Sequence, residues 1–151
     1  MMTDYEKSNK IESVDYSRLS NKEYKVLLND SLSRVSSGQR LLDYLCDKYG
    51  INRIPLYVMN SPRKCNSRGC QTLGWYKYNI NSGKGQCIII YNLTAKTKVE
   101  VSIKRFVETL LHEFMHHYDT EYLKIKTTHT CGFYKRITDL KNKLEKTINK
   151  I

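Results

Sequence analysis

The chain has 151 residues, enough for one compact core and too few for two independent ones. Apolar residues make up 40% and charged ones 27%, far from the composition of a disordered chain, and the longest apolar run, Cys87 to Tyr91, falls well short of the ~20 residues of a membrane-spanning helix. Twenty-six basic residues against fifteen acidic ones leave +11, unevenly spread: residues 48–99 carry nine basic groups and no carboxylate, a segment that attracts polyanions if those groups share a face.

Residues 1–20 hold charges where a secretory signal needs an apolar stretch, and they read as a frayed N-terminal segment ahead of a single domain over 21–151. Five cysteines without a framework spacing fit a reducing compartment, so a cytoplasmic location is expected. Ser20 and Glu23 form a capping-box pattern, and Leu28, Leu32, Val35, Leu42, Leu45 and Tyr49 recur at helical spacing up to Gly50. This predicts one long first helix, loosened at Ser36, Ser37 and Gly38. Ile54 to Met59, Leu73 to Ile80 and Gln86 to Asn92 follow as β-prone runs, the last two joined by the turn-forming NSGKG into a hairpin. From about Val99 the period becomes helical again, with Ile103, Phe106, Val107, Leu110, Leu111, Phe114 and Tyr118 in one wide stripe that marks a buried central helix. After a loop over 120–130, Phe133, Ile137, Leu140, Leu144 and Ile148 mark an amphipathic closing helix. The predicted class is α+β: a helix, a small three-stranded sheet, a central helix and a closing one.

All four histidines lie between positions 112 and 129, and the central helix carries His112, Glu113, Phe114, Met115 and His116, an H-E-x-x-H motif. With four His and eight Glu, this pattern arises by chance in about one such chain in two hundred. Residues i and i+4 share a helix face, so both imidazoles can reach one zinc ion while Glu113 sits beside it as a general base. A catalytic zinc takes three protein ligands and keeps one position for water. The position that a Met-turn metzincin gives to its third histidine is Tyr122 here, and the downstream glutamates Glu121 and Glu145 lie too near the motif or near the chain end. His129 is the better third ligand, thirteen residues beyond His116 at the start of the closing helix.

The run TLLHEFMHHYD, followed by HTCGFYKRI from His129, resembles the SprT-like zinc metalloproteases, which include the Spartan-type enzymes that cut proteins crosslinked to DNA. LGWYKYN, the turn and CIIIYN resemble the strands of that family, and the likeness covers roughly residues 30–145. It implies a zincin-like fold, one Zn²⁺ per chain on His112, His116 and His129, Glu113 as base, and a protein or peptide substrate, with DNA as a candidate partner. An extended substrate would add to a sheet edge, and Gln86 to Asn92 is the expected rim.

The neighbours carry weaker signals. Arg63, Lys64, Arg68, Lys77 and Lys84 surround Trp75, Tyr76 and Tyr78, the mixture of cations and aromatic platforms that suits single-stranded nucleic acid. Asp119 can orient an imidazole or serve as an ordinary polar residue, His117 reads as a surface or helix-end histidine, and Tyr118 and Tyr134 read as packing. Cys65 and Cys70 read as structural thiols. Two other readings stand beside the peptidase: a nucleic-acid-binding module with a structural zinc closed by Cys131, and a peptide-deformylase-like amidase with Cys70 as third ligand.

Overall fold

A computed structural model describes residues 1–29, 33–60, 74–77, 86–93 and 99–146. Among them are five α-helices and a small three-stranded sheet, in the order α1 (Asp4–Lys10), α2 (Lys22–Asn29), α3 (Arg34–Tyr49), β1 (Leu56–Met59), β2 (Gly74–Lys77), β3 (Cys87–Tyr91), α4 (Ile103–Tyr118) and α5 (Cys131–Glu145). A π-helical turn, Asp119–Leu123, extends α4. None of the described helices is long and apolar enough to cross a membrane.

Helix α4 is the centre of the molecule, as its stripe requires. Ser102 caps it by accepting from the Arg105 N–H, and Phe106, Val107, Leu110, Leu111, Phe114, Met115 and Tyr118 are all buried. Burial of so broad a face stabilises the helix against the rest of the core far more than its intrinsic propensity does. The sheet lies against it in the order β1-β3-β2, with β1 parallel and β2 antiparallel to β3. Alternation along β3 sends Ile88 and Ile90 into the core, while Tyr57, Met59 and Trp75 of the flanking strands are exposed. The Gln86–Asn92 run is therefore the middle strand and not the rim, because β1 and β2 pair with its two edges. Among the described residues β2 is the edge strand, on the side of α4 that carries the histidines.

Two expectations about the first third of the chain are corrected. The long first helix is two helices: α2 ends at Asn29, Ser33 has a non-helical backbone (ψ 130°) as the N-cap of α3, and Ser36 to Gly38 are continuous helix. Gly38 has a packing role: a Cβ there would stand 2.7 Å from Leu56 Cδ2, so the missing side chain lets β1 close on α3. The segment 1–20 is not wholly frayed, since residues 4–10 form α1. Thr3 and Glu6 close a full capping box at its start, the same pattern that suggested a helix start at Ser20. Ser20 instead accepts from the Lys22 N–H at 3.3 Å.

Candidate metal centre

Helix α4 presents His112, Glu113 and His116 toward a cleft of about 580 Å³, whose opposite wall is Gly74, Trp75 and Tyr76 of β2. The chain leaves α4 through the π-helical turn, reverses at Lys124 with a left-handed backbone (φ 55°), and returns Thr127 and His129 to the same cleft. Thr130 then caps α5 by accepting from the Phe133 N–H at 3.0 Å, which fixes the end of this loop directly after His129.

The three expected ligands converge. One ligand atom from each of His112, His116 and His129 lies within 4.8 Å of the others, and the Nε2 atoms of His116 and His129 are 3.0 Å apart. Two imidazole nitrogens held ~2.05 Å from one tetrahedral ion stand about 3.3 Å apart, so the His116–His129 pair is already near the spacing that one ion requires. Phe133 forms its floor, with ring centroids 5.2, 4.7 and 5.3 Å from those of His112, His116 and His129. The sequence showed Phe133 only as a core position of the closing helix. Its contact with all three imidazoles is set by the crossing of α5 under α4.

The electrostatics suit metal binding. Burial lowers the pKa of His112 to about 4 and of His116 to about 3, with neighbouring imidazoles adding to the effect. Both rings are neutral at pH 7, with lone pairs available to a cation. Glu113 is buried beside them, and desolvation raises its carboxyl to about 7 against the opposing bond from the Tyr76 N–H. Gly74 makes this approach possible: a Cβ there would lie 2.6 Å from Thr109 Cγ2 and 3.0 Å from Glu113 Oε2.

His116 is also oriented from behind. Its Nδ1 is 2.8 Å from Thr127 Oγ1, and that hydroxyl donates to Asp119 Oδ2 at 3.0 Å. Because the Thr127 proton goes to the carboxylate, its oxygen accepts from the His116 Nδ1–H, which leaves Nε2 unprotonated toward the cluster. Asp119 is fully buried, and the Nη2 of the equally buried Arg136 meets both its oxygens at 2.9 Å. Burial pushes the Asp119 carboxyl up, while the Arg136 charge and the Thr127 hydroxyl hold it down. Asp119 thus reaches the imidazole through Thr127, an intermediary that its spacing on the helix did not reveal.

The chain matches no protein-family model, no curated protein and no solved structure.

The remaining site expectations divide. His117 is not at the surface: it is fully buried, its Nε2 donates to the Asn52 carbonyl at 2.7 Å, and its Nδ1 accepts from the Tyr76 hydroxyl at 3.0 Å. Tyr118 is core, whereas Tyr134 is exposed and stacks on His129 at 6.0 Å. Cys131 is exposed and lies outside the histidine cluster. Of the expected nucleic-acid contacts, Lys77 is at the exposed end of β2 with Nζ 5.1 Å from the Trp75 ring. Arg63, Lys64, Arg68 and Lys84 lie outside the described residues, as do Cys65, Cys70 and Tyr78.

Proposed function

We propose that this protein is a zinc-dependent metallopeptidase of the zincin-like, SprT-like kind, which hydrolyses peptide bonds with His112, His116 and His129 as ligands and Glu113 as general base. One juxtaposition carries the reading. Three imidazoles meet in an open cleft, and a buried carboxyl of raised pKa stands beside them on the helix that carries two of them. Structural zinc sites are usually closed by four protein ligands, often cysteines, and a three-histidine set that opens on a cleft fits a site that keeps a position for water. Imidazole donors suit zinc without excluding other divalent transition ions, so the metal identity is part of the proposal.

A zinc ion held by these ligands supplies Lewis acidity, lowering the pKa of water to about 7 and polarising the scissile carbonyl. The protein supplies the rest. Glu113 takes the proton of the attacking water on its carboxylate and returns it to the leaving amine. The Tyr76 N–H holds that carboxylate in position, and the Asp119–Thr127 pair keeps the His116 Nδ1 protonated. An extended substrate lies along β2, the edge strand that walls the cleft, with Arg105 and Glu108 of α4 available to its side chains. The acid-free basic segment 48–99 favours substrates associated with DNA.

The test combines metal content and cleavage. Wild type purified without added zinc is expected to hold one zinc per chain, to lose it in His129→Ala and to keep it in Cys131→Ala. An unfolded protein substrate should be cut by wild type and not by metal-loaded Glu113→Gln, and DNA should accelerate the cut at low salt. Zinc that survives His129→Ala or depends on Cys131, or Glu113→Gln that cleaves like wild type, overturns the reading.

A further inference from the structure

Hydrogen bonds fasten the N-terminal segment to the loop that carries His129 and to the start of α5. Asp4 Oδ2 accepts from the Lys126 N–H at 2.9 Å, next to Thr127. Ser8 Oγ is 2.8 Å from Thr130 Oγ1, next to His129, and both hydroxyls are buried. Asn9 Oδ1 accepts from the Gly132 N–H at 3.3 Å. Arg136 Nη1 donates to the carbonyls of Ser8 and Ile11 at 2.6 and 2.7 Å, and Nη2 to Ser8 Oγ at 3.1 Å as well as to Asp119. A continuous set of hydrogen bonds therefore runs from α1 through Arg136, Asp119 and Thr127 to the Nδ1 of His116.

We infer that α1 is a positioning element of the metal centre: by helping to supply acceptors to the buried Arg136 and by pinning the 126–132 loop, it fixes Thr127 and His129 and thereby sets metal affinity. This rests on the reading of the three histidines as a metal site. Arg136 is a permanent charge with no exposed surface, and three of its acceptors, Ser8 O, Ile11 O and Ser8 Oγ, belong to the N-terminal segment. If that segment leaves, the guanidinium must find other acceptors or water, and it moves Asp119 with it. A seven-residue helix is marginal on its own in water, so α1 persists only while docked, and its release opens the relay without unfolding α4.

Gly132 offers a clean perturbation. A Cβ there would overlap the Ser8 carbonyl oxygen and stand 2.7 Å from that of Asn9, so Gly132→Ala expels α1 while Arg136, Asp119, Thr127 and His116 keep their side chains. Zinc affinity by chelator competition, the rate of proteolysis within residues 1–12, and the NMR signal of the His116 Nδ1 proton are measured on the full chain. In Gly132→Ala the N-terminal segment should become rapidly cleavable, zinc binding should weaken by about 10- to 100-fold, and the protected Nδ1 proton should be lost. Thr127→Val should weaken zinc to a similar degree, Thr127→Ser should restore it, and the double variant Gly132→Ala/Thr127→Val should lose little more than either single one. Ser8→Ala, a milder change, should weaken zinc several-fold and serves if Gly132→Ala does not fold. Wild-type affinity in Ser8→Ala, or a cleavable N-terminus with unchanged zinc affinity and an intact Nδ1 proton, overturns the inference. Absence of zinc from the wild type would instead remove the metal centre itself, a separate failure.

Discussion

Gly74→Ala isolates the contact that places Glu113, the proposed general base. Gly74 is not in the left-handed region of backbone space, so alanine costs no backbone strain there and the whole effect comes from what its methyl meets. That methyl would stand 2.6 Å from Thr109 Cγ2 and 3.0 Å from both Cγ and Oε2 of Glu113. Carbon atoms prefer ~3.5–4.0 Å, so β2 must back away from α4 by several tenths of an ångström to about 1 Å, which overpacking measurements equate to ~1–3 kcal/mol of stability. The same shift draws the Tyr76 N–H away from the Glu113 carboxylate. Since a misplacement of about 1 Å at a reacting group can cost ~100-fold, kcat should fall ten- to a hundredfold while zinc stays bound, because no histidine is touched. Denaturant melts, elemental analysis and peptidase assays on Gly74→Ala, Thr109→Ser and the double variant separate the parts. Removing the Thr109 methyl relieves the shortest contact, so Thr109→Ser should recover most of the stability, whereas the remaining contact with Glu113 should keep kcat low. Wild-type stability and kcat in Gly74→Ala would refute the argument that β2 and Glu113 are held in contact.

Glu113→Gln should bind zinc as wild type does and lose hydrolysis by about 10²- to 10⁴-fold; zinc loss together with activity would mean that the carboxylate is a ligand and not a base. Phe133→Ala should destabilise by ~3–5 kcal/mol in a melt and release zinc, since it removes the floor under all three imidazoles; retention of full zinc affinity would contradict that role. Asp119→Ala leaves Arg136 buried and unpaired, so a loss of ~3–5 kcal/mol is expected in denaturant titration, and a change under 1 kcal/mol would count against the buried pair. The pH dependence of the metal-free protein follows from opposing shifts. Below pH 6.5 the unfolded chain protonates His112 and His116 while the fold keeps them neutral to about 4 and 3, which lowers stability as pH falls. Glu113, raised from 4.5 to about 7, takes up a proton in the fold and works the other way. His117, lowered, and Asp119, raised, oppose one another. Through His112, His116 and Glu113 the unfolded state binds about one proton more than the native state near pH 5.5, so these groups should make stability fall from pH 6.5 toward 4.5, more steeply in Glu113→Gln. A flat or reversed profile in chelator would refute the burial argument.

Much of the candidate site was legible because its signal is local. The period of α4 and the i, i+4 spacing of His112 and His116 are properties of one helix, and a helix that buries such a stripe has one way to present them. His129 was reachable by elimination, since few side chains capable of ligation follow the motif. The order of strands was not legible, because β3 could sit at an edge or in the middle with the same alternation, and only pairing with both β1 and β2 decides it. The break between α2 and α3 was misplaced for a similar reason. Gly38 resembles an interruption in sequence, yet its cause is the Leu56 side chain from another element. The reading of residues 1–20 as frayed passed over the Thr3 and Glu6 capping-box pattern because seven residues of low apolarity give no periodicity to support it, and the stability of α1 comes from α5 and the loop that carries His129.

By itself, the sequence determined which side chains can take a metal and which helix holds the first two, because ligand type and helical period are one-dimensional facts. Only the tertiary structure decided that Phe133 floors the three imidazoles, that Gly74 lets β2 touch Glu113, and that Asp119 and Arg136 reach His116 through Thr127. Each of these joins residues from different elements, and such contacts are fixed by how helices and strands cross once the apolar stripes are buried, a geometry that no spacing along the chain encodes.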